Sequence, residues 1–358
     1  MKIGFDAKRL FFNSTGLGNY SRQWVEALMG SNHAVECHLY ASRYAKFENL
    51  TAHTPDFKKN PNQKSLLDSF WRTYKMGLQA ESDGCEIFHG LSNEIPMGKS
   101  NIPRVCTIHD VIFKEFPKYY SWIDRQLYDL KTGFACKNAE ALIVTSETTK
   151  RELQKYYSVD EGKIHVIYQT VDSRFTNASW APNLENPYIL YYSSFNLRKN
   201  HLKLIESFAK IANETSYNLI LAGKGREKDS ILATIQRLGM ERRIILTESP
   251  TNDELLNLLV YSSGFIYPSL QEGFGIPLVE AANVGIPMVV SDIPIFRELS
   301  GNAALAYFNP NDIDDIASGI LKLTKAENSG TTDYSDLLNK TNIENMLTSA
   351  LNVYRSLL

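Results

Sequence analysis

Two glutamates in the stretch PSLQEGFGIPLVEAANVGIP, residues 268–287, have the spacing and surroundings of an anion-binding site. Glu272 and Glu280 lie eight positions apart, with a Gly-Phe-Gly triplet and a proline between them. Proline is favoured in the first turn of a helix and glycine just past its end, so the sequence predicts a helix over 277–284. Glu272 then lies in the loop before this helix, and Glu280 lies about one turn inside it.

The chemistry that this stretch favours is phosphate binding between two carboxylates. Gly273 and Gly275 let the backbone approach a ligand closely. The N–H groups and the dipole at the start of a helix attract an anion. A carboxylate on each side of that anion can accept hydrogen bonds from sugar hydroxyls. The alternative is a solvated loop glutamate followed by a surface glutamate on the helix.

Short apolar runs alternate with longer helical patterns along the chain, which predicts βαβ units and parallel sheets with helices on both faces. Strands of a first series are predicted at 2–6, 34–40, 86–89, 104–108 and 141–145. Strands of a second series are predicted at 188–192, 218–222, 243–246, 264–267 and 288–290. The expected fold class is therefore α/β, with two doubly wound Rossmann-like parallel-sheet domains that face each other across a cleft.

A polar, proline-containing segment between the two series sets the expected domain boundaries. We predict an N-terminal Rossmann-like domain over 1–172, a linker over 173–187 and a C-terminal Rossmann-like domain over 188–342. The last stretch, 343–358, has its apolar residues on one face of a helix, which can dock on either domain, including back on the N-terminal one.

Composition is that of an ordinary globular protein, with 43% hydrophobic and 22% charged residues. A net charge of −2 argues against nucleic acid as a partner. The four cysteines form no C-x-x-C pair, which leaves a zinc or redox site unsupported and suits a reducing cytosol.

The expected location is cytoplasmic, since no apolar run approaches the length of a membrane-spanning helix and the N-terminus lacks a signal-peptide pattern. Two stretches, 69–76 and 114–120, mix aromatic residues with cations. Such a mixture is found at anionic lipid surfaces and also in ordinary cores with solvated lysines. Peripheral contact with the inner face of the membrane is therefore left open.

Loops after predicted strands supply further candidates, because ligands of open α/β sheets bind beyond the carboxyl ends of the strands. Gly16 and Gly18 are predicted in a loop between the first strand and a helix over 20–29, although Ser21 occupies the third glycine position of a dinucleotide fingerprint. His109 ends a strand and can hydrogen-bond to a substrate.

Charged residues elsewhere in the chain are further candidates for ligand binding. Lys199 follows a strand end, where a compact charge can neutralise a diphosphate. Arg198 beside it is either a second phosphate contact or a side chain in solvent. The D-x-D string at Asp312 and Asp314 opens a helical pattern, so we predict that it caps a helix rather than binding a metal.

The Glu-Gly-Phe-Gly-x-Pro-x-x-Glu string resembles the E-x7-E motif of the retaining glycosyltransferases of family 4 (glycosyltransferase group 1), which have the two-domain GT-B architecture. Further stretches resemble the family in the same order along nearly the whole chain. They are GLGNYSR (16–22), FHGLSNEIP (88–96), TIHDVIF (107–113), VTSETTKREL (144–153), KIHVIYQTVD (163–172), YYSSFNLRKNH (191–201) and LILAGKG (219–225).

The resemblance implies a role for each candidate in the donor site. Glu280 accepts hydrogen bonds from the ribose, and Glu272 from the hydroxyls of the transferred sugar. Lys199 and the backbone of the triplet Gly273, Phe274 and Gly275 hold the diphosphate.

The same resemblance extends to residues outside the E-x7-E string. It places the Gly16–Gly18 loop near the pyrophosphate and the acceptor, and His109 against the transferred sugar. The nucleotide base stacks between the loop that contains Gly223 and the loop over 247–251. Many family members carry an arginine where this chain has Ser193, so fewer charges stabilise the leaving group here.

The implied activity is retaining transfer of a hexose, with no metal or other cofactor, from a nucleotide-diphosphate sugar to a saccharide or lipid-linked acceptor. GDP-mannose is the first choice of donor and a UDP-sugar the second. The bacterial enzymes of surface polysaccharide, lipopolysaccharide or capsule synthesis, with a mannosyltransferase first, are the group most similar. A sugar-nucleotide epimerase, a glycoside phosphorylase and a non-catalytic sugar-binding relic of the same architecture are the alternatives.

Overall fold

The computed structural model describes residues 1–13, 16–31, 33–42, 46–47, 50–51, 66–171, 187–325 and 332–358. The chain divides into two compact units: the first is Met1–Thr170 with Asn342–Leu358, and the second is Val171–Thr341. Apart from its last residue, Pro187, the linker predicted over 173–187 lies outside the described residues.

The first unit contains a parallel sheet with helices between its strands. Its described strands are β1 (Lys2–Asp6), β2 (Glu36–Tyr40), the short antiparallel pair β3 (Lys46–Phe47) and β4 (Leu50–Thr51), β5 (Ile87–Gly90), β6 (Arg104–Ile108), β7 (Ala141–Val144) and β8 (Ile164–Val166). Its described helices up to β8 are α1 (Lys8–Phe12), α2 (Gly16–Gly30), α3 (Leu66–Phe70), α4 (Met76–Ser82), α5 (Ile112–Glu115), α6 (Trp122–Asn138) and α7 (Glu147–Tyr157). Within the described part, the parallel sheet runs β2-β1-β5-β6-β7-β8.

The second unit repeats this architecture. Its described strands are β9 (Tyr188–Phe195), β10 (Asn218–Gly225), β11 (Ile244–Glu248), β12 (Gly264–Tyr267), β13 (Met288–Ser291) and β14 (Ala306–Phe308). Its described helices are α8 (His201–Ile211), α9 (Lys228–Arg237), α10 (Asn252–Val260), α11 (Ile276–Val284), α12 (Pro294–Ser300), α13 (Ile313–Lys325) and α14 (Ser335–Lys340). All pairs in the sheet are parallel, in the order β11-β10-β9-β12-β13-β14.

The strands have continuous apolar sequences because helices cover both faces of each sheet. Every residue of β5, β7, β12 and β13 is buried. Parallel sheets that carry crossover helices on both faces have this property. The predicted fold class, two doubly wound α/β domains, is confirmed.

Each sheet has a point where the strand order reverses. In the first unit the chain passes from β1 outward to β2 and later returns to β5 on the other side of β1. In the second unit it passes from β9 to β10 and β11 and returns to β12 beside β9. Loops on the two sides of such a point diverge and leave room for a ligand at the carboxyl ends of the strands.

The prediction that Gly16 and Gly18 lie in a loop is wrong, because both residues lie in the first turn of α2. A Cβ atom on residue 18 would lie 1.8 Å from the carbonyl oxygen of Asn13. Gly18 is therefore required by the close approach of two backbone segments rather than by a flexible loop.

The last described helix, α15 (Ile343–Arg355), packs into the core of the first unit. Its Tyr354 hydroxyl accepts a hydrogen bond from Trp24 Nε1 at 2.9 Å and lies 2.7 Å from Nδ1 of His89. The other ring nitrogen of His89 lies 2.9 Å from Oγ1 of Thr107. Since the Tyr354 oxygen accepts from Trp24, its own proton is available for His89. The chain of bonds thus joins α15 to α2, β5 and β6.

No helix among the described residues combines the length and the apolar character that crossing a bilayer requires.

Removing the Tyr354 hydroxyl should destabilise the protein, because it leaves the buried Trp24 N–H and His89 Nδ1 without this partner. We expect Tyr354→Phe to lower the free energy of unfolding by about 1–3 kcal/mol and the thermal unfolding midpoint by several degrees. Circular dichroism during heating measures this. Tyr261→Phe, at an exposed site, is the control and should change the midpoint little. Equal midpoints for Tyr354→Phe and wild type would contradict the assignment.

Candidate functional site

The loops that follow β9 and β12 are hydrogen-bonded to each other at the point where the second sheet reverses. The N–H of Leu270 donates to the carbonyl of Arg198 at 2.9 Å, and Nδ2 of Asn200 donates to the carbonyl of Pro268 at 3.0 Å. These bonds hold the residues around Lys199 beside the start of the Gln-Glu-Gly-Phe-Gly sequence.

A buried ionic cluster forms where these loops meet. The carboxylate of Glu272, only 6% exposed, accepts hydrogen bonds from Nζ of Lys199, from Nη1 of Arg198 at 2.7 Å and from Oγ of Ser269 at 2.7 Å. Burial acts to raise the pKa of Glu272, but Arg198 and Lys199 outweigh it and lower the pKa to about 2. Glu272 is therefore ionised at neutral pH, and its burial excludes the alternative of a solvated loop glutamate.

The three charged side chains of this cluster carry one more positive than negative charge. Lys199 is buried, and its ammonium lies 5.6 Å from the centre of the Tyr267 ring. Arg198 is directed at Glu272 and the carbonyl of Gln271 instead of at solvent. Two cations that share one carboxylate in a poorly solvated position favour the binding of an additional anion.

Glu280 lies on α11, which begins at the glycine and proline that predict a helix start. Gly275 precedes the helix with φ +100°, a backbone conformation that favours glycine, and a proline occupies its first turn. The observed helix begins one residue before the predicted 277–284 and ends with it at Val284. The carboxylate of Glu280 is buried and accepts a hydrogen bond from the hydroxyl of Tyr192 on β9. Phe274, in the preceding loop, is also buried.

Ser193 lies on β9 at a close approach to β10. Its carbonyl oxygen would be 1.9 Å from a Cβ atom on Gly223, which explains the glycine there. Its Oγ lies 3.1 Å from Nε2 of His201. Burial, and then the nearby Lys199, lower the pKa of His201 to about 3, so this ring is neutral at pH 7. Ser193 therefore adds a hydroxyl but no charge.

His109 lies in the first unit, at the end of β6, and both its ring nitrogens have partners. Nε2 is 2.9 Å from the carbonyl oxygen of Leu91, and Nδ1 is 3.3 Å from the amide nitrogen of Gln169. A carbonyl only accepts, so Nε2 carries the proton and Nδ1 accepts from Gln169. Tyr20 contacts the ring edge-on at 4.6 Å between centroids. Burial lowers the pKa of His109 to about 4, which keeps the ring neutral at pH 7.

Two family models match consecutive parts of the chain. Residues 14–175 match Glycosyltransferase Family 4, and residues 172–335 match Glycosyl transferases group 1. Together the matches reach both compact units and include the whole ionic cluster. The chain belongs to the family 4 glycosyltransferases.

This glycosyltransferase is similar to bacterial enzymes over most of its length. It is 28% identical over 322 residues to the O-antigen chain mannosyltransferase RfbU of Salmonella typhimurium, which covers 85% of this chain and 86% of that protein. It is 27% identical over 348 residues to the O-antigen chain mannosyltransferase B of Escherichia coli, with 90% of each chain covered.

A solved structure supports the fold. Anabaena HepE, crystallised in complex with UDP and glucose, is 16% identical to the glycosyltransferase, with a TM-score of 0.72 and coverage of 99% of this chain and 100% of that one. The expected GT-B class of fold is thus confirmed.

The D-x-D string of the glycosyltransferase caps a helix, as predicted. Oδ1 of Asp312 accepts hydrogen bonds from the N–H groups of Asp314 at 2.9 Å and Asp315 at 3.3 Å at the start of α13. Asp314 also pairs with Lys210. In the part of the chain that the structure describes, no group of three or more His, Cys, Asp or Glu side chains could hold a metal ion.

Sequence reasoning missed three residues that the structure places at these sites. Tyr192 lies in an apolar strand, where a tyrosine is expected to pack in the core. Nothing in its sequence context predicts its hydrogen bond to Glu280. His201 shares a motif with Lys199, but its contact with Ser193 depends on how α8 leaves the sheet. Ser269 lies three residues before Glu272, and this proximity alone could have identified it.

Proposed function

We propose that this glycosyltransferase moves a hexose, with mannose as the first choice, from a nucleotide-diphosphate sugar to a saccharide or lipid-linked saccharide acceptor. Its role would be in bacterial surface-polysaccharide synthesis, of the O-antigen or lipopolysaccharide type. The observation that carries the proposal is the buried cluster of Lys199, Arg198 and Glu272 at the reversal point of the second sheet. Such a cluster has the charge and position that a diphosphate leaving group needs.

The donor assignment takes support from the relatives. Two of them are named O-antigen chain mannosyltransferases, which favours GDP-mannose as the donor. Anabaena HepE was crystallised with UDP and glucose, which favours a nucleoside diphosphate and keeps a UDP-sugar as the second choice.

The diphosphate would be held by Lys199, Arg198 and the backbone of Gly273, Phe274 and Gly275 at the start of α11. The helix dipole adds to the attraction for an anion. Arg198 supplies the second cation in place of the arginine that many relatives carry at the position of Ser193. The positive charge therefore comes from adjacent residues of one short helical turn, Leu197–Lys199.

Glu272 and the diphosphate would compete for the same two cations. The carboxylate contacts both Lys199 and Arg198 and offsets part of their charge. When the diphosphate binds, it takes over these contacts, and the released carboxylate accepts hydrogen bonds from hydroxyls of the transferred sugar. This exchange places a negative charge beside the sugar carbon that becomes positive in an oxocarbenium-like transition state.

The remaining roles are assigned as follows. Glu280 binds the ribose hydroxyls. The ribose either replaces the Tyr192 hydroxyl at the Glu280 carboxylate or binds beside it. Gly223 and Ser193 lie at the strand ends beside the nucleotide. His109 and the Gly16–Gly18 turn stay assigned to the transferred sugar and the diphosphate through the family motifs. For His109 this requires the sugar to take the place of Gln169 at Nδ1.

Transfer would retain the anomeric configuration and need no metal ion. Lys199 and Arg198 supply the positive charge that stabilises the departing diphosphate, which is the main electrostatic demand of the reaction. The work of the enzyme is then orientation of the two sugars and stabilisation of the leaving group.

A thermal-shift panel tests the donor. GDP, UDP and ADP, each with and without its sugar, are added to the protein, and the true donor nucleotide should raise the unfolding midpoint most. We expect GDP and GDP-mannose to give the largest shift, and transfer from GDP-mannose to continue in the presence of a chelator. A larger shift with UDP would replace the donor assignment, and the absence of any shift would contradict the nucleotide site itself.

Glu272→Gln tests the exchange of counter-ions. The variant should lose transfer by about 100-fold or more because the sugar contact is gone. Since the competing carboxylate is also gone, it should bind the nucleoside diphosphate as tightly as wild type or more tightly in calorimetric titration. Glu241→Gln, at an exposed site between α9 and β11, is the control. Binding tenfold weaker than wild type would contradict the exchange.

Arg198→Ala tests the second cation. Loss of a charge-assisted contact should weaken binding of the nucleoside diphosphate by about 10- to 100-fold, and binding of the monophosphate by less. Calorimetric titration of both nucleotides measures the difference. Arg237→Ala, on the exposed side of α9, is the matched control. Equal losses for the diphosphate and the monophosphate would place Arg198 away from the second phosphate.

A further inference from the structure

A group of charged residues lies at the carboxyl end of β1, where the strand order of the first sheet reverses. Oδ1 of Asp6, the last residue of β1, accepts hydrogen bonds from the backbone N–H of Lys8 at 3.2 Å and from Nε of Arg72 at 3.2 Å. Arg72 also pairs with Glu94 in the loop after β5, the strand beside β1. These bonds fix the turn that carries Lys8 and Arg9 at an edge where open α/β sheets bind ligands.

The two carboxylates of this group already have cations as partners. The side chains of Asp6 and Glu94 are 6% and 13% exposed. Arg72, in the π-helical turn Trp71–Lys75, contacts both of them, and Lys131 of α6 contacts Glu94 at 2.6 Å. Burial acts to raise the pKa of Glu94, but Arg72 and then Lys131 lower it to about 2, so this carboxylate is ionised at neutral pH. Two carboxylates are thus balanced by two cations.

Lys8 and Arg9 add two positive charges that this pairing does not use. Within the part of the chain that the structure describes, neither side chain forms an ion pair with a carboxylate. Nε of Arg9 is buried, and no described residue accepts a hydrogen bond from it. Burial, and then the charge of Arg72, lower the pKa of Lys8. Lys8 is therefore close enough to Arg72 for the two cations to repel each other.

The group as a whole carries a net positive charge. Its four cations exceed its two carboxylates by two, and the group stays positive when Asp68, four residues before Arg72, is counted as well. Three other acids of the neighbouring helices have partners elsewhere: these pairs are Glu81 with Asn101, Asp124 with Ser121, and Asp129 with Lys114. A buried N–H without an acceptor costs free energy, which an anion at this place would recover.

Arg9 also lies near the ring of His109. Burial lowers the pKa of His109 most, the hydrogen bond to Leu91 opposes this, and the charge of Arg9 lowers the pKa further. His109 is the residue assigned above to the transferred sugar through the family motifs. An anion held by Arg9 would therefore lie in the first unit beside that residue.

We propose that Arg9 and Lys8 form an anion site in the first unit that binds a phosphate group of the acceptor. This inference rests on the proposed function, which assigns the diphosphate of the donor to Lys199 and Arg198 in the second unit. With the phosphates of the donor assigned there, the acceptor is the substrate that brings the second anion. It would be a saccharide that carries phosphate, and the guanidinium and ammonium groups would donate charge-assisted hydrogen bonds to the phosphate oxygens.

Calorimetric titration of inorganic pyrophosphate into the full chain tests the site. The protein is first saturated with the nucleoside diphosphate that gives the largest thermal shift, so that the donor site is occupied. Wild type should still bind pyrophosphate. Arg9→Ala should bind it at least about tenfold more weakly, and Lys8→Ala, at an exposed site, should also bind it more weakly. Both variants should bind the nucleotide like wild type.

The matched control is Lys137→Ala. It removes an exposed cation of the same unit from the last turn of α6, which precedes β7 and thus lies at the opposite edge of the sheet. This variant should bind pyrophosphate like wild type. Circular dichroism checks that all variants remain folded.

Two further probes identify the source of the phosphate. Farnesyl diphosphate should displace pyrophosphate if the acceptor is a saccharide linked to a lipid through a diphosphate. Glucose 1-phosphate should displace it if the acceptor is a free sugar phosphate. Displacement by either probe supports the site, whereas displacement by neither would make pyrophosphate an adventitious ion only and overturn the proposal.

Two other results would also overturn it. One is a nucleotide-saturated wild type that binds no pyrophosphate, which rejects the second anion site and leaves the donor site in place. The other is equal binding of pyrophosphate by Arg9→Ala, Lys8→Ala and the control. A protein that binds no nucleoside diphosphate would contradict the proposed function instead, and the same titration without nucleotide then tests Arg9 and Lys8 directly.

Discussion

A buried ionised carboxylate between two cations is the constraint on which the second unit depends. Glu272 remains ionised in the interior because Lys199 and Arg198 contact it, and its charge offsets part of theirs. The cluster exists because β12 pairs directly with β9, so that the loops after these strands begin side by side. The strand order of the sheet is thus what brings together residues more than seventy positions apart in the chain.

The first unit uses a different arrangement of buried polar groups. His89 and His109 are neutral and are satisfied by a tyrosine, a threonine, a glutamine and a backbone carbonyl. Neutral hydrogen-bonded groups can be buried at lower cost than charges. The ionic network of Asp6, Arg72 and Glu94 is buried as well, and it connects the end of β1 and the loop after β5 to the helical turn Trp71–Lys75. Each unit therefore buries compensated charge near its reversal point, and the first unit adds neutral hydrogen-bonded histidines.

Ser193 and Arg198 contribute differently around the ionic cluster. Ser193 contacts His201, and its backbone approaches Gly223 closely. Arg198 reaches the Glu272 carboxylate from the adjacent turn and adds a second cation to Lys199. Charge near a binding site can be supplied from any neighbouring position whose side chain is long enough, whereas the glycines that allow the backbone to approach have no substitute.

Much of the fold followed from local patterns. The strands Lys2–Asp6, Arg104–Ile108 and Gly264–Tyr267 were predicted with their observed bounds, and α11 within one residue, because buried strands and helix-terminal proline and glycine leave short-range signals. The strands β8 and β14, each three residues long, are too short to show a pattern. The Gly16–Gly18 segment was misassigned because Gly18 is required by a close backbone contact with Asn13. A glycine required by such a contact cannot be distinguished, from the sequence alone, from a glycine in a flexible loop.

Fold class, family and the residue types of the candidate site follow from local patterns in the chain, since periodicity, caps and motifs are properties of neighbouring residues. The tertiary structure decided which of those residues meet. It paired Glu272 with both cations and Glu280 with Tyr192, and it occupied both nitrogens of His109. These outcomes depend on contacts between distant segments, and the charge, burial and partners of a side chain are set by such contacts rather than by its neighbours in the chain.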